Sequence, residues 1–184
     1  MFKKIILNLS RKLILLSSLF TGIFVFATDL TVGMQAPDFN LQATNGDFYQ
    51  LSSYQGKQAI VVAWYPMANT RGCTIECKSL TEQGHLIREY DVSYFMVSVD
   101  PLDDNRAFAK KTGADFPMLS DPTKKVAKAY DVLNLFRVAS RVTFYISVDG
   151  KILYIDEDVS PKTAASDIAK KLSELNTVKA VTSN

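Results

Sequence analysis

The stretch Trp64-Tyr-Pro-Met-Ala-Asn-Thr-Arg-Gly-Cys-Thr-Ile-Glu-Cys77 decides the fold, because it joins a buried strand to a helix and carries both cysteines of the chain. The residues before it, Ala59 to Tyr65, are mostly apolar and rich in valine and aromatics, without polar alternation. This pattern predicts a strand that is buried on both faces of a sheet. The residues after it are predicted to form a helix from about Thr74 to Tyr90.

The spacing of apolar residues in this helix predicts a single stripe that faces the sheet. Its members follow the spacing i, i+4, i+7, i+11 and i+14: Cys73, Cys77, Leu80, Gly84 and Ile87. A cysteine at a helix start is favoured as a thiolate, because the first N–H groups lack partners and the helix dipole attracts an anion there. On the cysteines alone, a reactive thiol and a purely structural pair both remain open.

The residues around the first cysteine decide between these interpretations. Pro66, Thr70 and Cys73 form the pattern P-x3-T-x2-C, and with it the chain resembles the peroxiredoxins, the thiol-dependent peroxidases. The resemblance is greatest to the bacterioferritin-comigratory (PrxQ-like) branch and runs from Val32 to Leu175. Further matching segments, in chain order, are Gly33–Phe39, Gly56-Lys57, Val99-Asp100, Phe116–Pro122 and Arg141–Phe144.

The resemblance implies a fold and a set of roles. The fold is a thioredoxin-like α/β fold with a mixed central β-sheet flanked by helices and an N-terminal β-hairpin. Cys73 is the thiol that hydrogen peroxide or an organic hydroperoxide oxidises to sulfenic acid. Hydrogen-bond donors are expected to stabilise the charge on the departing oxygen of the peroxide: the Thr70 hydroxyl, the Arg141 guanidinium and the N–H groups of Gly72 and Cys73. Pro66 is expected to shield the sulfur from water. Taken alone, Thr70 also fits a helix N-cap and Arg141 a surface ion pair.

Three other polar residues compete for a place in the site. Arg137 lies four residues before Arg141, and we prefer Arg141 because Arg-Val-Thr-Phe entering a strand matches the family pattern. His85, the only histidine, lies about 12 Å along the helix from Cys77 and faces away from the cysteine stripe. Asp100 at a strand end is interpreted as an ordinary cap of the helix that follows.

Cys77 is the only other cysteine, and therefore the only internal thiol that can condense with a sulfenic acid on Cys73. The C-x3-C spacing departs from the common pattern of the branch, in which the second cysteine follows five residues after the first. Side chains at i and i+4 of a helix have Cβ atoms about 5 to 6 Å apart, whereas a disulfide needs about 3.8 Å. Resolution by Cys77 is therefore expected to require unwinding of the first helical turn.

The first 27 residues are interpreted as a secretion signal. Four basic residues precede an apolar run of fifteen residues, from Leu13 to Ala27, which ends on the small residues that a signal peptidase needs. An uncleaved membrane anchor is the alternative, although the run is short for the ~20 residues that span a bilayer. Removing this segment leaves 17 basic and 19 acidic residues, a net charge of −2. The expected location is therefore outside the cytoplasm, in the periplasm.

The rest of the chain predicts one domain, residues 28–175, followed by a flexible tail, 176–184. An N-terminal hairpin is expected at Asn45-Gly46 and a C-terminal one, with strands Arg141–Val148 and Lys151–Ile155, at Asp149-Gly150. The other expected elements are a parallel strand over Val92–Val99, a helix capped by Asp103 or Asp104 and ended by Gly113, and helices that start at Asp121-Pro122 and Ser160-Pro161.

Two rival classes share the expected fold. A thioredoxin-type disulfide exchanger normally has C-x2-C and a proline before the strand that starts here at Val142, and this chain has neither. A copper-binding factor of the Sco type uses C-x3-C with a distant histidine, but His85 follows on the cysteine helix itself. The expected partners are a peroxide and an exported thioredoxin-like reductant, with no cofactor or metal, no nucleic acid, no stable membrane association after signal removal, and a monomeric or weakly dimeric state.

Overall fold

The structure is a computed structural model that describes residues 30–180, so the predicted signal segment lies outside the described residues. The strands are β1 Asn40–Ala43, β2 Phe48–Gln50, β3 Ala59–Trp64, β4 Val92–Ser98, β5 Met118–Ser120, β6 Val142–Ile146 and β7 Ile152–Asp156. The helices are α1 Arg71–Ile87, α2 Leu102–Thr112, α3 Lys125–Ala129 and α4 Ala164–Glu174, with a 3₁₀ helix at Leu51–Tyr54. Between residues 30 and 180, none of the helices combines the length and apolar character needed to cross a membrane.

All seven strands form one mixed sheet in the order β2-β1-β5-β4-β3-β6-β7. Strand β4 lies parallel to both β3 and β5, and the remaining neighbours are antiparallel. The chain passes from β3 through α1 to the parallel strand β4, as the sequence predicts. Strand β3 lies inside the sheet, and every one of its six residues is buried, which explains its unbroken apolar composition.

Alternate residues of β3 belong to two separate apolar cores, one on each face of the sheet. Val61 and Ala63 join the core that contains α1, α2 and α4, whereas Ile60, Val62 and Trp64 join the core on the opposite face with α3 and the 3₁₀ helix. The predicted stripe of α1 is confirmed, since all of its members are buried: Cys73, Cys77, Leu80, Gly84 and Ile87. Both cysteines therefore lie between α1 and the sheet.

Both predicted hairpins are present. The turn at Asn45-Gly46 joins β1 to β2, and the turn at Asp149-Gly150 joins β6 to β7. Gly46 and Gly150 have φ angles of 96° and 82°, a left-handed conformation that glycine adopts without steric cost.

Helix α2 ends as predicted but begins differently. Gly113 terminates it in the left-handed conformation, with φ at 75°. Its N-cap is Pro101, which is extended, and Asp103 and Asp104 lie inside the first turn. There the two carboxylates stabilise the helix through its dipole and not as caps.

The two helices predicted to start at proline begin later. Helix α3 begins at Lys125, because a turn over 121–124 comes first, although the Asp121 carboxylate still accepts a hydrogen bond from the N–H of Ala127 at 2.8 Å. Helix α4 begins at Ala164, after a turn at 161–163. In both places the proline enters a turn that precedes the helix.

The C-terminal residues up to Ala180 contact the end of α1 and the start of β4. Tyr90 and Lys179 form an isolated antiparallel bridge, and the N–H groups of Asp91 and Ala180 donate to the carbonyls of Val178 and Glu89. Lys179 also lies over the Tyr90 ring, 3.9 Å from its centroid.

Candidate active site

The site is built where β3 gives way to α1. Thr70 is extended and acts as the N-cap, so α1 begins at Arg71 and not at Thr74 as predicted. Cys73 consequently lies inside the first turn of the helix. The N–H groups of this turn have no intrahelical acceptor, and the Thr70 side chain does not cap them. The helix start therefore offers donors and a positive dipole end to a negative charge on the Cys73 sulfur.

The loop between β3 and α1 is held by an acidic side chain. The Asp100 carboxylate accepts a hydrogen bond from the N–H of Ala68 at 2.9 Å. Within the loop, Asn69 is left-handed with φ at 63°, and its side-chain oxygen accepts from Lys111 at 3.2 Å. Asp100 thus fixes the loop that leads to Cys73. The sequence-based interpretation of Asp100 as a cap of α2 is wrong, because the N-cap of that helix is Pro101.

A buried polar network fixes Asp100 in turn. The Ser98 hydroxyl accepts from the Asp100 N–H at 3.2 Å and from the Asn105 amide at 3.1 Å. Tyr65, the residue after β3, donates its hydroxyl proton to Asn105 at 2.7 Å. Burial raises the pKa of Tyr65 well above its ordinary value, so its hydroxyl stays protonated as a donor.

Arg141 brings a positive charge to the sulfur. Its Nη2 donates to Cys73 Sγ at 3.3 Å, and Cys73 is only 1% exposed. Its Nη1 forms an ion pair with the carboxylate of Glu76, a residue that is also 1% exposed. Gly72 leaves room for this arrangement, because a Cβ atom there would lie 3.2 Å from Arg141 Nη2. A guanidinium in this position can stabilise negative charge that develops beside the sulfur.

The other predicted residues lie in different relations to the sulfur. The Thr70 hydroxyl is exposed and donates to the Met67 carbonyl at 3.0 Å, so its predicted role as a donor to the peroxide stays a prediction. Pro66 is half-buried in the loop that follows β3. Arg137, the competing arginine, is exposed on a loop, with φ at 60°. The structure therefore brings Arg141, and not Arg137, to Cys73.

Cys77 lies one turn further along α1 and is completely buried. Both cysteines are free thiols. Burial raises the pKa of the Cys77 thiol. The thiol donates a hydrogen bond to the Thr112 hydroxyl of α2 at 3.2 Å. Cys77 is thus held as a neutral thiol, in contrast to the charged surroundings of Cys73.

Sequence reasoning missed Glu76. This residue follows Cys73 by three positions and lies on the same inward face of α1, where a carboxylate needs a cation partner. An acidic residue inside an otherwise apolar stripe was the available signal, and Arg141 was the cation already under consideration. His85, on the same helix, is exposed. Within residues 30–180, no cluster of three or more His, Cys, Asp or Glu side chains is arranged to hold a metal ion.

Comparison with known proteins gives a consistent picture. The AhpC/TSA family model matches residues 32–155. Peroxiredoxin Bcp of Bacillus subtilis is 29% identical over 154 residues, which cover 80% of this chain and 98% of that protein. Alkyl hydroperoxide reductase E of Mycobacterium tuberculosis is 32% identical over 130 residues, which cover 69% and 85%.

Solved structures agree with the sequence comparison. The crystal structure of peroxidoxin BcpB from Mycobacterium tuberculosis superposes with a TM-score of 0.71 at 28% identity, over 79% of this chain and 97% of that one. A PrxQ mutant from Xylella fastidiosa has a TM-score of 0.69 over 80% and 98%, and at 24% identity it supports the fold alone. The thioredoxin-like fold expected from the sequence is confirmed.

The buried ion pair between Glu76 and Arg141 should contribute to the stability of the protein. We expect Glu76→Gln to lower the free energy of unfolding by about 3 kcal/mol, because it leaves the Arg141 charge without its buried partner. The double variant Glu76→Gln/Arg141→Met should lose less than the sum of the two single variants. Urea unfolding monitored by circular dichroism measures all of them.

The matched control is Asp115→Asn, which removes one partner of the exposed Arg88–Asp115 pair. Its effect should stay within about 0.5 kcal/mol, as is usual for surface ion pairs. Strict additivity in the Glu76 and Arg141 double variant would contradict a direct interaction between the two side chains.

Proposed function

Because the chain belongs to the AhpC/TSA family and is a thiol-dependent peroxidase of the Bcp/PrxQ-like peroxiredoxins, we propose that Cys73 is its peroxide-reacting thiol. The single observation that carries this assignment is the 3.3 Å contact between Arg141 and the Cys73 sulfur at the start of α1. Cys77 has no comparable cation beside it, and its thiol donates a hydrogen bond to the Thr112 hydroxyl instead. The two cysteines therefore have different chemical surroundings and different roles.

The reaction is a displacement at oxygen. The Cys73 thiolate attacks the terminal oxygen of the peroxide, the O–O bond breaks, and the leaving oxygen takes up a proton and departs as water or an alcohol. Cys73 is left as a sulfenic acid. Negative charge develops on the departing oxygen, and Arg141 together with the N–H groups of Gly72 and Cys73 lies where it can stabilise that charge. Glu76 keeps the guanidinium in place.

Burial of the sulfur adds to this effect. Cys73 is 1% exposed, with Pro66 half-buried in the preceding loop. In a site with little water, a fixed positive group stabilises charge more strongly than it does in solvent. Thr70 contributes by setting the start of α1, and its hydroxyl must leave the Met67 carbonyl before it can reach a bound peroxide.

Cys77 is the proposed resolving thiol. Its sulfur attacks the sulfenic acid on Cys73, water leaves, and a disulfide joins the two residues. In the regular helix seen here the Cβ atoms at i and i+4 are too far apart for this bond, so the start of α1 unwinds during the step. A dithiol of the thioredoxin type then returns both cysteines to the thiol form.

The alternative of a Sco-like copper protein is not favoured by the relatives of the chain. The only histidine, His85, is exposed on the outer side of α1, away from the buried cysteine stripe. No observation on the described residues supports a second function.

The proposed location is the periplasm, with residues 1–27 acting as a cleaved signal. Basic residues followed by a short apolar run support this proposal, and the reductant would then be an exported thioredoxin-like protein. We further propose a monomer or weak dimer that does not stay on the membrane after cleavage. The mature net charge of −2 offers nucleic acid no attraction.

The location is tested by fractionating cells that produce the full chain. We expect the protein in the periplasmic fraction with a mass that begins at Thr28, and a control that lacks residues 1–27 in the cytoplasm. An intact mass in the membrane fraction would show an uncleaved anchor instead.

The two cysteines make a prediction about turnover. Cys73→Ser should abolish peroxide consumption, whereas Cys77→Ser should still allow one fast oxidation of Cys73 per chain, because only Cys73 contacts Arg141. Stopped-flow consumption of hydrogen peroxide by the reduced protein, followed by mass spectrometry, measures both. Equal loss of the first oxidation in the two variants would refute the roles. Normal turnover of Cys77→Ser with a dithiol would show that Cys77 is not the resolving thiol.

The two arginines provide a matched pair of variants. Arg141→Met should slow the reaction of Cys73 with peroxide by about 10²- to 10³-fold, the usual cost of removing one preorganised donor from a developing negative charge. Arg137→Met removes an equal charge from an exposed loop and should leave the rate unchanged. If both variants lose the same activity, the effect is one of overall charge and the placement of Arg141 at the sulfur is irrelevant to catalysis.

A further inference from the structure

The sulfur of Cys77 is held by a second helix. Cys77 is completely buried, and its thiol lies 3.2 Å from the hydroxyl oxygen of Thr112. Thr112 is the last residue of α2 and is itself 8% exposed. The contact therefore joins α1 to α2 inside the core on one face of the sheet, away from solvent.

The direction of this hydrogen bond follows from the other contacts of Thr112. A hydroxyl group carries one proton, and the Thr112 hydroxyl donates it within α2 to the Phe108 carbonyl at 2.8 Å, with the Ala109 carbonyl at 3.3 Å as a further acceptor. The oxygen of Thr112 is then left to accept a proton from Cys77. The contact therefore holds the Cys77 sulfur against α2 while Thr112 keeps its own bond to the Phe108 carbonyl.

We propose that Thr112 is a positioning residue that keeps the Cys77 sulfur inward, and so sets the rate at which the disulfide forms. This inference rests on the proposed role of Cys77 as the resolving thiol. Before Cys77 can react with Cys73, its sulfur must leave Thr112 as the start of α1 unwinds. The buried contact with Thr112 opposes that movement.

The step that Thr112 controls is balanced without an outside reagent. Cys77 gives up its proton, its sulfur forms a bond to the Cys73 sulfur, and the S–O bond of the sulfenic acid breaks. The hydroxide that departs combines with a proton to give water. The two electrons that reduce the sulfenic sulfur come from the thiol sulfur of Cys77, and both atoms finish in the disulfide.

A slow disulfide step has a chemical consequence for Cys73. As long as Cys77 stays on Thr112, the sulfenic acid on Cys73 is open to a second peroxide, which oxidises it to a sulfinic acid. Thr112 therefore sets the balance between turnover and inactivation. Weakening the contact should increase disulfide formation and reduce sulfinic acid at a given peroxide concentration.

The experiment compares Thr112→Val, which keeps the side-chain volume but removes the acceptor, with Thr112→Ser, which keeps the hydroxyl. The reduced full chain is mixed with hydrogen peroxide, and the reaction is quenched at timed intervals with a thiol-blocking reagent. Intact-protein mass spectrometry then measures the thiol, disulfide and sulfinic acid forms. We expect Thr112→Val to form the disulfide roughly three- to tenfold faster, in line with the loss of one hydrogen bond, and to accumulate less sulfinic acid. Thr112→Ser should match the original chain, and all should share the same first oxidation of Cys73.

A control separates this contact from general loosening of α1. The Thr81 hydroxyl donates to the backbone carbonyl of Cys77 at 2.8 Å, within α1 itself, so Thr81→Val removes a bond of this helix without touching the link to α2 and should leave the disulfide rate unchanged. Equal acceleration by Thr81→Val, or an unchanged or slower disulfide step in Thr112→Val, would overturn the inference while leaving Cys77 as the resolving thiol. If the original chain oxidises Cys73 but never forms the disulfide, the proposed role of Cys77 fails and the inference fails with it.

Discussion

The ion pair between Glu76 and Arg141 determines the electrostatics of the whole site. A carboxylate with almost no access to water must keep a cation beside it, because an uncompensated charge in the core is costly. The sheet brings that cation within reach, since Trp64 at the end of β3 pairs with Val142 at the start of β6. Arg141 is the residue before Val142, so it lies where β3 leads into the cysteine turn. Gly72 has no side chain to crowd the guanidinium, and Nη2 of Arg141 donates a hydrogen bond to the Cys73 sulfur.

Most of the framework can be predicted from the sequence, because it depends on patterns that extend over many residues. The unbroken apolar run of β3 indicates burial on both faces, and the helical spacing from Cys73 to Ile87 indicates which side of α1 faces the sheet. The hairpins follow from Asn45-Gly46 and Asp149-Gly150, which supply the left-handed glycines that the turns need. Each of these signals lies within one continuous stretch of chain, so it can be recognised without knowing the tertiary contacts.

The details of the site depend on contacts that the folded chain makes, and the spacing of residues along the sequence does not show which groups will come together. The Thr70 hydroxyl donates to the Met67 carbonyl of its own loop, the Asp100 carboxylate accepts from the N–H of Ala68 instead of capping a helix, and Glu76 was overlooked. Each outcome depends on which group comes within about 3 Å after folding. The placement of Arg141 beside Cys73 was anticipated only because the family resemblance supplies a three-dimensional arrangement that residue spacing does not.

The bridge between Tyr90 and Lys179 anchors the far end of α1 to the C-terminal segment. The proposed disulfide step unwinds the opposite end of α1, which carries Cys73. Unwinding that starts there would meet the packed residues Leu80 and Ile87 and then this anchor. The two ends of one helix thus differ in how strongly they are held, and the proposed change of shape can take place at the reactive end while the hydrophobic core remains folded.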